Sequence, residues 1–244
     1  MWTIEQMQTF ARDGYMVVRN VIPASVRTRA LARIEGLLQE QPVEAGHASH
    51  SYWLVADREP ELIALLTDTP ALALAEVLTS PRWIAPTRFL QVALTFPPYR
   101  HVPARGHLDG LTPTEPDGRP GTFTMLAGVI LSDQTRPMMG NLIVWPGTHR
   151  AVAAHLHEQG PDALLESGGL PPIEHGEPIS VLGDVGDVIY AHYLLSHNSG
   201  GNTCGVVRRT VYFRLKVDGH DRAWREFVCD ELHDLDAVRA VVSA

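Results

Sequence analysis

Basic residues, cysteines and long hydrophobic runs are all scarce in this sequence of 244 residues. Lysine and arginine total 20 against 28 acidic residues, and the formal net charge of −8 argues against a nucleic-acid partner, because phosphate backbones are bound by clustered Lys and Arg. Cys204 and Cys229 are too few to stabilise such a chain as disulfides and are expected to be reduced. No apolar run approaches the roughly 20 residues of a membrane helix, and residues 1–10 lack a signal peptide's features. We therefore expect a soluble, cytoplasmic protein without a membrane partner.

The first third of the chain carries helix signals. Thr3 and Gln6 have the spacing of a capping box, and Gly14 can end this first helix. Ser25 is expected to cap a second helix, which Pro42 ends. One strand and two further short helices are also predicted here, at residues 15–19, 61–66 and 71–78 respectively.

The rest of the chain is dominated by strand signals. Runs of Val, Ile, Leu, Phe, Tyr and Thr separated by Gly, Pro, Asn and Asp predict strands at 88–96, 122–131, 141–145, 188–192 and 208–217. Helices first and strands later favour an α+β fold with a mainly β core, in which helices buttress a barrel or sandwich. The length suits one domain, composed of a helix-rich part (1–80), a β core (about 82–217) and a C-terminal helix (235–242).

A histidine and an aspartate, His107 and Asp109, are separated by one residue in a segment with a glycine at each end. Alternate side chains of an extended segment share a face, so one cation can contact both. Such a pair alone is more often an ordinary loop feature. His197, however, follows the predicted strand 188–192 in a Gly-rich stretch. Two imidazoles and one carboxylate on one face of Fe(II) leave positions open for a 2-oxo acid and dioxygen.

Two other histidine arrangements compete with this triad. His192 lies inside the predicted strand, whereas the Gly-rich surroundings of His197 let the backbone approach a cofactor, so we favour His197 as the third ligand. His149, His155 and His157 offer an alternative zinc site. Helical spacing places His155 and His157 on different faces, which argues against it.

Arg208 begins the last long predicted strand, eleven residues after His197. A planar guanidinium can bind the distal carboxylate of 2-oxoglutarate through two parallel hydrogen bonds. The alternative is that Arg208 and Arg209 are solvated charges of an edge strand. Alternation assigns one polar face and one apolar face to this strand: Arg208, Thr210, Tyr212 and Arg214 against Val211, Phe213 and Leu215.

With these residues in order, the chain resembles the phytanoyl-CoA dioxygenase family along most of its length. The resemblance implies a double-stranded β-helix (a jelly-roll, cupin-like fold) with N-terminal buttressing helices. It also implies Fe(II) held by His107, Asp109 and His197, with 2-oxoglutarate and dioxygen as co-substrates. The segments that carry it are Phe10-x-x-x-Gly14-Tyr15, His107-x-Asp109-Gly110, Gly140-Asn141-Leu142, Pro146-Gly147-Thr148-His149, Gly186-Asp187, His197-x-Ser199-Gly200-x-Asn202 and Arg208.

The resemblance further implies hydroxylation of a small molecule, such as a secondary metabolite, with release of succinate and carbon dioxide. Ser199 and Arg208 match positions that bind the carboxylates of 2-oxoglutarate, and Gln91, on the strand before the iron motif, is expected to contact the same co-substrate. Halogenating relatives replace the ligand carboxylate by a small residue. The presence of Asp109 therefore favours hydroxylation.

Two other functions stay open at this point. A cupin-like isomerase or hydrolase with Zn or Mn would usually carry more histidine ligands and would not need Arg208. A barrel that binds a ligand without catalysis is the second alternative. Arg100, His101 and Arg105 precede the iron motif and would either meet an anionic substrate or form a solvated loop.

Overall fold

The structure, a computed structural model, describes residues 2–111 and 114–244. The helices are α1 (Ile4–Asp13), α2 (Ala24–Glu40), α3 (Pro60–Thr67), α4 (Ala71–Thr79), α5 (Thr148–Gln159), α6 (Ala163–Glu166), α7 (Trp224–Cys229) and α8 (Asp236–Val242). The strands are β1 (Tyr15–Val18), β2 (Ser49–Val55), β3 (Phe89–Thr95), β4 (Met125–Ile130), β5 (Leu142–Val144), β6 (Ile179–Ser180), β7 (Val188–His192), β8 (His197–Ser199) and β9 (Arg208–Leu215).

Two antiparallel sheets form the β core. The larger sheet has the order β1-β7-β4-β9-β3-β2, and the smaller has the order β6-β5-β8. One buried cluster draws side chains from both sheets, which therefore pack face to face. Its members include Ala93, Leu126, Ile189 and Tyr212 from the larger sheet and Leu142 and Val144 from the smaller.

The outer face of the larger sheet packs on the helices. Val211, Phe213 and Leu215 of β9 belong to a second buried cluster that also contains Ile34 of α2 and Leu65 of α3. Because side chains alternate along a strand, the polar residues of β9 lie on the opposite, inner face. The two faces predicted for this strand are present in the structure, and the inner one turns toward the smaller sheet.

The helix ends test the capping predictions. The Thr3 hydroxyl accepts from the Gln6 N–H, the Gln6 side chain accepts from the Thr3 N–H, and Gly14 ends α1 with a φ of 80°. This capping box was predicted and is present. The prediction for Ser25 is wrong, because α2 starts one residue earlier at Ala24, after Pro23, and Ser25 lies inside the first turn.

The helix-rich part of the chain contributes more to the sheet than its sequence indicates. β2 was not predicted, yet all of its seven residues pair with β3, from Ser49 opposite Thr95 to Val55 opposite Phe89. This pairing joins segments distant in sequence, and strand formation depends on such cross-strand neighbours more than on local propensity. At the other end, α7 precedes the predicted C-terminal helix.

No single helix within residues 2–111 and 114–244 is long and apolar enough to cross a membrane. The helices α3 and α4 meet the length and composition requirement only as a pair bent by 49°. Leu62 and Leu65 of α3 and Ala75 and Leu78 of α4 are fully buried in the protein core.

Candidate metal centre and adjoining cavity

His107 and His197 are brought together by backbone pairing at the edge of the smaller sheet. The His107 N–H donates to the His197 carbonyl at 2.9 Å, and the His197 N–H donates to the His107 carbonyl at 3.2 Å. His107 thus lies beside β8 as a further antiparallel neighbour. The centroids of the two imidazole rings are 4.7 Å apart.

Asp109 completes a group of three metal-ligand side chains. Its Oδ1 atom lies 3.5 Å from Nε2 of His107 and 3.8 Å from Nε2 of His197. The three ligand atoms all lie within 4.8 Å of one another, and this is the one such group of three or more His, Cys, Asp or Glu residues in the described part of the chain. The arrangement matches the two-histidine, one-carboxylate set of non-haem iron sites.

Hydrogen bonding selects the tautomer of His197. Its Nδ1–H donates to the Leu195 carbonyl at 2.9 Å, which leaves the lone pair of Nε2 directed toward Asp109. Burial lowers the pKa of His197 and favours the neutral ring, although the Asp109 charge opposes this shift. A neutral imidazole oriented through its other nitrogen is the form that binds metals.

The Asp109 carboxylate is held as an anion by its neighbours. Burial alone would raise the pKa of Asp109, but the adjacent His107 ring and the charge of the Arg214 guanidinium hold it well below its usual range. The Arg214 guanidinium lies 3.0 Å from Oδ2. Oδ2 is therefore engaged by the protein, while Oδ1 faces the two histidines and is available to a metal.

Glycines on both sides of the motif allow this close approach. A Cβ atom on Gly106 would lie 2.1 Å from the Ser196 hydroxyl and 2.9 Å from the His197 nitrogen. Gly110 has a φ of +73°, and a Cβ there would lie 2.2 Å from the Gly121 carbonyl. Side chains at either position would push the segment that carries His107 away from β8.

Arg208 is buried on the inner face of β9 with only 2% of its surface exposed. One guanidinium nitrogen donates to the Ala93 carbonyl at 3.3 Å and the other to the Tyr212 hydroxyl at 2.5 Å, whereas Nε has no partner. Within the described residues, no carboxylate forms an ion pair with Arg208. Because an isolated buried charge is costly, these contacts fit an anionic ligand such as the far carboxylate of 2-oxoglutarate.

The other two expected co-substrate residues lie on either side of the barrel. Ser199 is two residues beyond His197 in β8, so both side chains project to the same face. Gln91 lies on the inner face of β3 opposite Tyr212, and its amide donates to the Ser51 hydroxyl at 2.9 Å. Their hydroxyl and carbonyl oxygens have no hydrogen-bond donor among the described residues.

A cavity of about 700 Å³ adjoins the triad. Its wall includes Gly110, which follows Asp109 in the sequence, and Arg214, whose guanidinium contacts Asp109. Gln91, Tyr212 and Trp53 also line it. Small-molecule sites are commonly clefts of a few hundred to a thousand Å³. The cavity therefore provides room for a ligand that is separated from Asp109 by the Arg214 side chain.

The competing histidines lie apart from this centre. His192 is buried; it accepts from the Leu194 N–H at Nδ1 and bonds the Glu231 carbonyl through Nε2, so both ring nitrogens have partners. His149 is buried in α5 and His157 is exposed on the same helix. These histidines form no metal-ligand group in the part of the chain that the structure describes.

The three residues before the iron motif that were considered as contacts for an anionic substrate lie mostly on the surface. Arg100 and Arg105 are exposed, and the half-buried His101 ring stacks on Tyr99 with 5.3 Å between centroids. None of the three is among the described residues that line the cavity. Arg214 does line it and was not predicted as a site residue, although its alternation with Arg208 placed it on the polar face of β9.

Comparisons with known proteins agree with this geometry. The sequence matches no family model. It is 25% identical over 231 residues to ectoine dioxygenase of Bordetella bronchiseptica, covering 85% of this chain and 73% of that protein. The fold is similar to SnoK, a non-haem α-ketoglutarate-dependent carbocyclase from nogalamycin biosynthesis (TM-score 0.64, 20% identity, covering 89% of this chain and 84% of that one). It is also similar to HygX from Streptomyces hygroscopicus, solved with nickel and 2-oxoglutarate (TM-score 0.62, 20% identity, 90% and 88%).

The expected double-stranded β-helix with N-terminal helices is thereby confirmed, since both solved structures share it over most of their length. The sequence similarity to a curated dioxygenase adds the enzyme class to the fold. Together with the His-Asp-His group, these likenesses agree with the class that the resemblance to the phytanoyl-CoA dioxygenase family implied, the non-haem iron, 2-oxoglutarate-dependent oxygenases.

Proposed function

We propose that this protein, as a single domain, hydroxylates a C–H bond of a small molecule in a reaction that converts 2-oxoglutarate to succinate and carbon dioxide. His107, Asp109 and His197 would hold Fe(II). Arg208, with Ser199 and Gln91, would bind 2-oxoglutarate. The observation that carries the proposal is the combination of an open metal-ligand group with a buried arginine that lacks a carboxylate partner.

Bound Fe(II) and 2-oxoglutarate supply the oxidising chemistry by activating dioxygen. The protein's own residues orient the ligand atoms. Leu195 fixes the His197 ring through Nδ1, and Arg214 occupies Oδ2 of Asp109. Asp109 would therefore coordinate the metal through Oδ1 alone. A carboxylate that binds through one oxygen leaves more coordination positions for the co-substrate than one that binds through both.

Arg208 is prepared to bind the far end of the co-substrate. Its position is enforced by Gly140, where a Cβ atom would lie 2.6 Å from Cβ of Arg208. The guanidinium lies against Tyr212, whose hydroxyl accepts from one terminal nitrogen, and its Nε has no partner. A planar guanidinium offers a carboxylate two parallel donors, and the Ser199 hydroxyl would add another from the facing strand.

A cupin-like isomerase or hydrolase is less compatible with these contacts. Such an enzyme would use the His107, Asp109 and His197 site and the cavity, but it would need no anionic co-substrate to pair with the buried Arg208 charge. Burying a cation with no acidic partner lowers stability, so its presence on the inner face of the barrel favours a reaction with an acidic co-substrate.

The proposal is tested by measuring succinate formed from 2-oxoglutarate by the purified protein with Fe(II), oxygen and a reductant. We expect slow succinate formation even without substrate, and its loss in Asp109→Ala. Asp57→Ala removes an exposed carboxylate that belongs neither to the triad nor to the cavity wall; it serves as the matched control and should keep the wild-type rate. Succinate formation that persists in Asp109→Ala would contradict the metal assignment.

A further inference from the structure

Arg214 connects the metal centre with the cavity. Its guanidinium lies 3.0 Å from Oδ2 of Asp109, and the same side chain forms part of the cavity wall. A group that contacts Arg214 from the cavity would lie within one side chain's reach of the metal-ligand atoms. No other cation contacts both Asp109 and the cavity among the described residues.

The Arg214 guanidinium is held in place by two aromatic rings and a single acceptor. Its carbon atom lies 4.8 Å from the Trp53 ring centroid and 5.4 Å from that of Phe123. Aromatic faces attract cations without using their N–H groups. Arginine has five N–H donors, and the contact with Asp109 is the one polar contact that Arg214 makes within the described residues. Arg214 therefore keeps donors for a further ligand.

The cavity has a cationic bias that the chain as a whole lacks. Asp221 is already paired with both Arg119 and Lys216. Arg88 and Arg222 form no ion pair in the described part of the chain. In a protein of net charge −8, such a wall attracts acidic molecules. The charged wall residues are the cations Arg88, Arg119, Arg214, Lys216 and Arg222 and the carboxylates Glu115, Asp218 and Asp221.

The mouth of the cavity is aromatic. Trp53 and Phe89, on the neighbouring strands β2 and β3, are 55% and 59% exposed, and both line the cavity. Large exposed aromatic side chains next to a cleft are typical of ligand contacts. An apolar ligand body on these rings would have its acidic end directed toward Arg214.

We propose that Arg214 binds an acidic group of the substrate, and that the substrates are small-molecule carboxylates whose apolar part packs on Trp53 and Phe89. This inference rests on the proposed function, because the cavity is a substrate cavity only if Asp109 holds the metal. It adds the substrate class and the residue that selects it.

The test compares matched pairs of acids and amides as probes on metal-free protein by ligand-observed NMR titration. Suitable pairs are phenylacetate with phenylacetamide, 3-phenylpropionate with 3-phenylpropionamide, and indole-3-acetate with indole-3-acetamide. We expect each acid to bind at least about tenfold more tightly than its amide, the size of a charge-assisted hydrogen bond. The ratio should fall to about one in Arg214→Gln, where the charge is removed.

Arg208→Gln is the matched control, because Arg208 is the other cation on this face of β9 that could bind a carboxylate. The preference for acids should survive in Arg208→Gln. A second variant, Trp53→Ala, should weaken acid and amide together and leave their ratio unchanged. These variants identify both the charged end and the apolar end of the site.

The inference is contradicted if amides bind as well as acids in the wild type, if none of the probes binds, or if Arg214→Gln keeps the preference. Thermal melting of Arg214→Gln at wild-type temperature establishes that the variant is folded. Since no metal is present, failure here leaves the succinate measurement unaffected. Loss of succinate formation with an intact acid preference would instead contradict the proposed function alone.

Discussion

Within residues 2–111 and 114–244, histidine and aspartate side chains meet in two clusters, which differ in how far their polar atoms have hydrogen-bond partners. In the first, Nδ1 of His220 lies 2.6 Å from Oδ2 of Asp234, and Nε2 lies 2.9 Å from the Thr122 hydroxyl. Thr124 donates to Oδ2 of Asp234, and Arg82 lies 3.2 Å from Oδ1. The His220 and Asp234 side chains have no exposed surface.

In the second cluster, Oδ1 of Asp109 lies 3.5 Å from Nε2 of His107 and 3.8 Å from Nε2 of His197. These distances are too long for good hydrogen bonds, so the three atoms converge without satisfying one another. Buried polar groups normally have partners. The hydrogen-bonded cluster of His220 and Asp234 therefore connects the C-terminal segment to the barrel. The cluster of His107, Asp109 and His197 has polar atoms without partners and is suited to binding a ligand.

Two arginines, the half-buried Arg33 and the buried Arg208, repeat this contrast. The Arg33 guanidinium pairs with Glu59 and Glu40 at 2.7 and 2.9 Å, so its charge is matched within the protein. Arg208 has only a carbonyl and a hydroxyl as partners. The unmatched cation lies on the same inner face as the open metal-ligand group, and the matched one lies on α2.

The largest expected effect separates the two histidine clusters. His107→Ala should weaken Fe(II) binding by more than about 100-fold, since even indirect partners of metal ligands contribute 10- to 100-fold. Its side chain is 48% exposed, so thermal stability should hardly change. Anaerobic Fe(II) titration measures the affinity. Unchanged affinity would show that the metal binds elsewhere.

The converse variant is Asp234→Ala. Removing one partner of a buried pair leaves the other uncompensated, and we expect a loss of about 3–5 kcal/mol in the free energy of unfolding. Denaturant unfolding measures this loss. Fe(II) affinity of the folded variant should equal that of the wild type, and a large drop in affinity would mean that this cluster is part of the metal site.

The buried His192 makes the stability of the protein depend on pH. Burial lowers the pKa of His192 to about 4, more than the Glu231 carbonyl and Asp234 raise it, and His220 lowers it further. The neighbouring His149 ring, 5.2 Å away, has its pKa lowered in the same sense by burial. Since the folded-state pKa lies below the unfolded value of 6.5, the unfolded chain takes up the proton more readily.

Stability is therefore complete above pH 6.5 and should be lost progressively as the pH falls to about 4, with about 3 kcal/mol attributable to His192. Denaturant unfolding over this pH range measures the loss. His192→Gln should flatten the profile, whereas the exposed His157 offers a control, His157→Gln, that should follow the wild type. A flat wild-type profile would contradict the neutral buried ring.

The smallest expected effect concerns the two arginines. Arg208→Gln should raise the 2-oxoglutarate concentration needed for half-maximal succinate formation by about 10- to 100-fold, the range of a charged hydrogen bond. Its stability should not fall, because an unmatched buried charge is removed. Arg33→Gln should do the opposite, with lower stability and an unchanged 2-oxoglutarate requirement. An unaltered requirement in Arg208→Gln would remove this residue from the site.

Local sequence signals predicted the parts of the molecule that are determined locally. The capping box of Thr3 and Gln6, the strand Val188–His192 and the alternating faces of β9 follow from spacing and propensity. β2 could not be predicted in this way, because its stability comes from pairing with β3 across about forty residues. The cap assigned to Ser25 is wrong by two residues, since Pro23 is the N-cap and Ala24 begins the helix.

The candidate site shows the same division. Alternation in extended chain predicted that His107 and Asp109 share a face, and the motif order singled out His197 and Arg208. The role of Arg214 depends on where β2 and the Asp109 segment meet, and neither its contact with Asp109 nor the Trp53 ring beneath it has a local sequence signal. The cluster of His220 and Asp234 likewise joins the segment after β9 to the segment between α7 and α8, which no motif links.

The assignment of His107, Asp109 and His197 as the Fe(II) site is tested most directly by visible absorption. Spectra of anaerobic protein with Fe(II) and 2-oxoglutarate are recorded for the wild type, His107→Ala and Asp234→Ala. We expect a metal-to-ligand charge-transfer band in the wild type and in folded Asp234→Ala, and no band in His107→Ala. Absence of the band in wild-type protein with iron bound, or its persistence in His107→Ala, would contradict the assignment of this centre.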